Sequence, residues 1–447
     1  MSDSPTGGPL GGPPDGPVDG SDARGSADVI VVGAGPAGSA AAYHLARHGL
    51  DVLLLEKSTF PRDKVCGDGL GPRAVHQLRR MGVDVTGPGW HRNRGVRLVF
   101  GGRGAEVDWP ESTRYPDHGL TRSRHDFDDL LAHRAVDAGA RLWTSARVTE
   151  PVLDRDGRAR GVRAVVGPEE RQVTCEAPVV VAADGVSARL AVALGVQRLG
   201  RRPVATAIRR YHRSPARHDD GYLEIWPELR AGPGQPLLPG YAWVFPLGDG
   251  RVNVGLGLIS QRGAERRDSR RLLDLWLART PEEWGLSDPG GAAGPVRGAA
   301  LGMGFNRLPH YVRGVLLAGD SGGMISPWNG EGISYAMEAG ELAAELTADA
   351  LARGAASRRE ALLRRYPREL HQRHARYYRL GTAFARLLGR PAFVSSLGRG
   401  LVASPAVRRV GLRLLANVRD ERGGDALDRV LAPLIRAVPA RLPRARS

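Results

Sequence analysis

Apolar residues in the first third of the chain fall into short runs separated by a helix-forming stretch. Val29–Val32 is an unbroken β-branched run, the pattern of a strand buried on both faces of a parallel sheet. Ala40–Arg47 is rich in helix formers, Gly49 ends that helix, and Val52–Leu55 gives a second apolar strand closed by Glu56. "PVVVAADG" from Pro178 and "GVLLAGD" from Gly314 are two further runs of the same kind. Between them the period changes. Residues 97–110 read as a hairpin, and Tyr222, Leu223, Ile225 and Trp226 as a strand. Residues 240–258, "GYAWVFPLGDGRVNVGLGL", read as a second hairpin in which aromatic and small residues alternate.

A two-residue type I′ turn at Asp249-Gly250 would set the register of this second hairpin. Tyr241 then faces Leu258, Trp243 faces Leu256 and Phe245 faces Val254, all on one apolar face. Ala242 and Val244 share the opposite, nearly bare face with Gly257 and Gly255. Towards the end of the chain the period becomes helical. Val407, Val410, Gly411, Leu414, Leu415 and Val418 form one stripe, with Arg408, Arg409 and Arg413 off it. Leu427, Val430, Leu431, Leu434, Ile435 and Val438 form another.

These elements predict an α/β fold: a Rossmann-type dinucleotide-binding domain, an inserted antiparallel β-sheet substrate domain and a C-terminal helical region. The nucleotide domain is expected to be discontinuous over 27–90, 118–198 and 310–353, with the β-rich layer over 91–117 and 199–309 and the helical region over 354–447. Residues 1–26, rich in Gly, Pro, Asp and Ser, read as a disordered tail with neither a secretory nor a transit pattern.

Charge adds one element to this picture. The net charge is +16, and Lys57 and Lys64 are the only lysines among 64 basic residues. Residues 386–447 carry 13 Arg against 4 acidic residues. No nucleic-acid motif accompanies the excess, so an anionic membrane surface is the expected partner and the C-terminal stripes the expected contact. A peripheral site on the cytoplasmic membrane face follows. No apolar run approaches the ~20 residues of a membrane span. Two cysteines, Cys66 and Cys175, give neither a disulfide framework nor a metal cluster, and they fit a reducing cytoplasm.

The chemistry begins at Gly33, Gly35 and Gly38, a G-x-G-x-x-G set between the first strand and helix. Gly33 makes the tight turn, Gly35 admits a pyrophosphate, and Gly38 lets helix and strand pack closely. The helix N-terminus holds phosphate charge, and Glu56 suits a ribose hydroxyl. No second such unit is present, so electrons must come from outside, from NAD(P)H or a redox protein.

Three further stretches resemble the FAD-dependent aromatic hydroxylase superfamily in order and spacing. "TRSRHDF" carries Arg124, "AADGVSAR" carries Asp184 and Gly185, and "LAGDSGGMISPWNGEGIS" carries Gly319 and Asp320. The resemblance implies FAD as the cofactor. It places Arg124 near the FAD phosphates, Asp320 at the ribityl chain, and Lys57, Cys66, Gly67, Pro327, Gly330, Gly332 and Ile333 around the cofactor. A helix starting near Ile333 would turn its positive end towards the negative charge of a reduced flavin, and Pro327 and Trp328 would cover its ring.

Two motifs are more specific. "KVCGDG" (Lys64 to Gly69) and Tyr241, Trp243, Phe245, Pro246, then Gly255 and Gly257 after eight residues, resemble the geranylgeranyl reductase family. The similarity covers about residues 27–350. It implies a flavoenzyme that saturates isolated double bonds of a polyprenyl lipid, with the menaquinone side chain the leading substrate. Geranylgeranyl diphosphate and other prenyl lipids are the alternatives. On this reading Cys66, Tyr241 and Trp243 carry catalysis, and Tyr241, Trp243, Phe245, Pro246, Gly255 and Gly257 form the substrate wall. An isolated alkene accepts hydride only once it is polarised, so protonation precedes hydride transfer from N5 of reduced FAD, and aromatic faces stabilise the cation. An aromatic monooxygenase on the same fold is the competing activity. A flavin-dependent halogenase lacks its lysine here, since both lysines lie in the FAD motif region. Cys175 is expected to be structural.

Overall fold

A computed structural model describes residues 25–200, 202–260, 268–352, 355–418, 429, 433 and 435–439. The expected tail up to residue 24 and the stripe residues Leu427, Val430, Leu431 and Leu434 lie outside the described residues. Gly25–Ser26, expected in the tail, is instead a short strand paired with Cys175 and Glu176.

Five short apolar strands form a parallel sheet in the order Val315–Leu317, Val179–Ala182, Val29–Val32, Val52–Leu55 and Arg141–Trp143. Tyr311–Val312 adds an antiparallel edge. The four residues of each of the strands 29–32, 52–55 and 179–182 are all buried, because helices cover one face and a second sheet covers the other. The helices are Pro36–Arg47, Arg124–Asp137 and Ile333–Leu351. The first and last cross so closely that a Cβ on Gly340 would lie 2.3 Å from the Ala37 carbonyl oxygen. The covering sheet has the order Gly25–Ser26, Arg171–Glu176, Ala159–Val166 and Ala146–Leu153. Cys175 is buried in it, and burial pushes its thiol up to about 11, as suits a structural residue.

The second layer is a seven-stranded sheet. Its order is Arg297–Gly302, Val204–Arg213, Arg251–Ile259, Gly240–Pro246, Tyr222–Trp226, Gly95–Phe100 and Arg103–Asp108. It is not wholly antiparallel: Tyr222–Trp226 runs parallel to Gly95–Phe100, where the chain re-enters the sheet after a long excursion.

The register of the 240–258 hairpin differs from the expectation by one residue. Tyr241 pairs with Gly257, Trp243 with Gly255, Phe245 with Asn253 and Pro246 with Val252. The turn is Gly248-Asp249-Gly250, three residues rather than two. Leu247 N–H donates to the Arg251 carbonyl across it, and Gly248 and Gly250 take left-handed φ of +78° and +87°. The extra residue changes the parity and exchanges the faces of the second strand. Val252, Val254 and Leu256 therefore join Ala242 and Val244 in a core against Leu272, Leu273, Trp276 and Leu277 of the helix Ser269–Leu277. The three aromatic rings lie over the glycines on the other face.

The chain after residue 354 is helical where described: Ala356–Leu363, Tyr366–Leu387, Pro391–Ala403 and Pro405–Ala416. The last helix does not present the expected stripe. Val407 is 41% exposed, whereas Leu412 and Arg413, the latter expected to lie off the stripe, are buried at 5% and 6%. Its inner face is set by contact with Leu401 of the preceding helix and with the outer strands through Val96, Leu98, Val107 and Leu223. Among the described residues, no helix is long and apolar enough to cross a membrane.

Candidate active site

The glycine turn opens the site. Gly33 has φ +97°, and a Cβ there would lie 2.4 Å from the Ala183 carbonyl oxygen. A Cβ on Gly38 would lie 1.7 Å from the Gly33 carbonyl oxygen, so strand and helix touch through backbone alone. Gly35 faces open space, with only the tip of Arg62 within 4 Å of a Cβ. Glu56 is buried. Its Oε2 accepts from Ala34 N–H at 2.9 Å and its Oε1 from Ser58 N–H at 3.1 Å, which fixes the carboxylate beside the turn. An open space at a helix N-terminus, framed by bare backbone, an anchored acid and Lys57, fits the diphosphate and ribose of a dinucleotide.

The other end of this cleft is formed by Asp184, Gly185, Asp320 and the segment Pro327–Ile333. Ser321 Oγ donates to Asp184 at 2.6 Å, joining two of the motif loops. Gly319 has φ +62°, and a Cβ there would crowd that of Ala37 at 2.9 Å. The helix begins at Ile333 with Gly332 as its cap. Its positive end is partly occupied by the chain itself, since the Glu331 carboxylate accepts from Ser334 N–H at 3.0 Å, and burial pushes Glu331 up. The Trp328 ring is stacked against Tyr377 and Phe384 and donates to the Tyr377 carbonyl, so packing against the helix Tyr366–Leu387 sets its orientation.

Arg124 lines the cleft, but its guanidinium is paired with Asp128 through two bonds of 2.6 and 2.8 Å. Arg62, not singled out from the sequence, shares Asp128 at 2.8 Å and reaches towards Glu56 at 3.5 Å. Lys64 lies between the motifs. Burial lowers its affinity for a proton, and Asp320 opposes that effect.

Beyond the cleft, the same cavity, about 610 Å³ in all, continues between apolar side chains as a chamber. Cys66 and Gly67 lie at the junction. Tyr241, Trp243 and Phe245 form one wall, and their ring centroids are 6.0 and 6.1 Å apart in succession. The Trp243 indole crosses the glycine strand, and a Cβ on Gly255 would lie 2.3 Å from its Cζ2. Gly257 lies beyond the ring's far edge, and Pro246 anchors the strand by accepting from Thr121 Oγ1. Phe245 reaches the cysteine loop, where a Cβ on Gly67 or Gly69 would come within 3.1 Å of its ring. Tyr241 donates to the Asn329 carbonyl at 2.5 Å, and burial pushes its phenol up to about 12. Val96, Leu98, Trp109 and Leu223 continue the wall, and Leu401, Leu412 and Leu415 of the C-terminal helices close it.

Behind the aromatic wall is a buried polar cluster that sequence reasoning missed. Asn253, fully buried, accepts from the Trp243 indole N–H at 2.9 Å and donates to the Cys66 carbonyl at 2.8 Å and to Asp68 at 2.9 Å. Tyr211 also donates to Asp68, at 2.7 Å. Burial pushes the Asp68 carboxyl up to about 6 against the pull of these donors and of Arg209. The available signal was one polar residue in the otherwise apolar run "VNVGLGL". Burial also pushes the Cys66 thiol up, so it is held protonated, with Arg124 opposing.

Turn, cleft and fold define a flavoprotein. Residues 26–380 match the FAD binding domain family, and the chain belongs to it; its cofactor is FAD. Within it, the chain belongs to the geranylgeranyl reductase family. It is 37% identical to a menaquinone reductase of Mycobacterium tuberculosis over 91% of this chain and 94% of that one. It is 31% identical to digeranylgeranylglycerophospholipid reductase 2 of Methanopyrus kandleri over 72% of this chain and 77% of that one. In fold it is similar to a geranylgeranyl bacteriochlorophyll reductase-like protein of Thermoplasma acidophilum, with a TM-score of 0.73, 23% identity, and coverage of 88% of this chain and 97% of that chain.

Proposed function

We propose that this protein reduces isolated double bonds in a polyprenyl chain, with the isoprenoid side chain of menaquinone as substrate. The observation that carries this reading is the single cavity that joins the dinucleotide cleft to an apolar, aromatic-walled chamber. Such a chamber excludes water and offers aromatic faces to a hydrocarbon and to the cation formed when it is protonated. Similarity to menaquinone reductases over nine-tenths of the chain favours that lipid over others.

When bound, reduced FAD supplies the hydride. The chain's own residues do the rest. Gly33, Gly35, Gly38, Glu56, Lys57, Arg124, Asp184, Gly185, Gly319, Asp320, Pro327, Gly330, Gly332 and Ile333 hold the cofactor. Tyr241, Trp243 and Phe245 flatten the prenyl chain against the wall. The Cys66 thiol holds a proton at the junction of cleft and chamber.

Two partners complete the proposal. An external donor, NAD(P)H or a redox protein, supplies electrons. An anionic membrane surface supplies the lipid, a reading supported by the exposed Arg386, Arg390, Arg399 and Arg409 and by the exposed first turn Pro405–Val407 of the last helix.

Purified protein should be yellow. With a reductant it should add two mass units per saturated bond to a polyprenyl quinone, read by mass spectrometry. Unchanged lipid together with a hydroxylated aromatic product would establish the monooxygenase instead.

A further inference from the structure

The aromatic wall is backed by charge. Asp68 Oδ2 accepts from Asn253 Nδ2, and Asn253 Oδ1 accepts from the Trp243 indole N–H, each at 2.9 Å. This chain has one direction only. A carboxylate can only accept and an indole can only donate, so the amide between them is fixed with its oxygen towards the ring. All three side chains are buried, Asp68 and Asn253 completely, and in such surroundings linked hydrogen bonds polarise one another.

The anion at the end of this chain is not neutralised by an ion pair. The nearby guanidinium groups are committed elsewhere, Arg209 to Asp63 and Arg124 to Asp128. Asp68 Oδ1 has no hydrogen-bond partner among the described residues. A buried carboxylate with a free oxygen is costly unless positive charge comes near, and the ring at the other end of the chain faces the chamber.

We propose that Asp68, Asn253 and Trp243 form a charge relay that makes the indole face the cation-stabilising surface of the chamber. The inference rests on the prenyl-reduction reading above. The relay transfers no atom. In the reaction, the proton held by the Cys66 thiol leaves sulfur and forms a C–H bond at the less substituted alkene carbon, giving a tertiary cation and a thiolate that solvent reprotonates. Bound reduced FAD would supply the hydride for the second C–H bond, giving up two electrons. The relay lowers the energy of the cation between these bonds: negative charge behind the indole, carried through the amide, enriches the ring face that the cation meets. Trp243 touches the substrate; Asn253 and Asp68 act through it as positioning residues.

The charge state of the relay follows pH. The groups facing Asp68 are Cys66 of its own loop, Tyr211 and Arg209 of the strand Val204–Arg213, and Arg124 of the helix Arg124–Asp137. Asp128 holds Arg124 cationic, and burial keeps the phenol and the thiol neutral. The carboxyl, at about 6, is the group of this set that changes charge between weakly acidic and neutral solution.

The test uses a prenyl chain bearing a permanently charged quaternary ammonium at one branch carbon, together with its neutral hydrocarbon isostere. Both are titrated calorimetrically into the full-length, FAD-loaded protein. Wild type should prefer the ammonium compound, and Asp68→Asn should lose about tenfold of that preference with hydrocarbon affinity unchanged. Lowering the pH of wild type from about 7.5 to about 5 should produce the same loss, a measurement that needs no variant to fold. A preference that is equal in Asp68→Asn, or flat across that pH range, overturns the relay. Lipid saturation is measured on the same wild-type preparation. Saturation without any ammonium preference overturns the relay alone, and absence of saturation overturns the prenyl-reduction reading.

Discussion

Asp68 should leave a signature on stability that is independent of catalysis. Its carboxyl lies at about 6 in the folded protein against an ordinary 3.8, chiefly because burial disfavours the charged form. The folded state therefore binds this proton more tightly than the unfolded state. Its contribution to stability is fully present below 3.8 and is lost as pH rises through 6. The shift of about two units, at about 1.36 kcal/mol each, is about 3 kcal/mol. Asp68→Asn keeps an acceptor oxygen for Tyr211 and Asn253 but cannot titrate. Urea unfolding of both proteins between about pH 4 and about pH 7.5 isolates the carboxyl. Wild type should lose about 2.4 kcal/mol relative to the variant across that range, since part of the full effect is already gone at pH 4. A difference that is constant with pH, or that grows in favour of wild type as pH rises, would refute the account of Asp68 as a buried, raised carboxyl.

Gly255→Ala places a Cβ 2.3 Å from the Trp243 ring and 2.4 Å from the Ile208 carbonyl. It should cost about 1–3 kcal/mol and shift the tryptophan emission, and an unchanged spectrum and stability would contradict the observed register. Glu56→Leu removes the acceptor for Ala34 and Ser58 N–H and should weaken FAD binding at least about tenfold in a flavin fluorescence titration. Leu412→Ala opens the chamber wall and should lower stability by about 2 kcal/mol, with the Km for a long prenyl substrate altered more than FAD affinity. The raised Cys66 thiol should react with iodoacetamide more slowly than a free cysteine at about pH 8, whereas alkylation at the free-thiol rate would show that the site is open.

Legibility in the sequence follows how local each determinant is. The strands Val29–Val32 and Val52–Leu55, the glycine turn and the helix start at Ile333 are written in contiguous residues, and they could be read directly. The hairpin could be recognised but not registered. Gly248, Asp249 and Gly250 support a two-residue or a three-residue turn equally, and both faces of Gly240–Pro246 are apolar, so no polar side picks the register. Asn253 was the exception, a buried amide whose partners come from Cys66, Asp68 and Trp243 in two separate motifs. The last helix misled for a related reason. Its spacing is amphipathic, but the inward face is chosen by Leu401 and by strands some three hundred residues earlier in the chain.

The wall formed by Leu401, Leu412 and Leu415 also separates the two parts of the site along the chain. The cofactor cleft is lined by residues up to about 336 and braced by the helix Tyr366–Leu387, while the chamber wall is finished only by residues 401–415. The residues that frame the cofactor thus precede in the chain those that enclose the lipid. Asn329 receives the last helix, donating to the Leu415 carbonyl at 2.9 Å, one residue from the end of the helix Pro405–Ala416. Loss of this last helix would therefore open the lipid chamber while leaving the glycine turn and Glu56 of the cofactor cleft untouched.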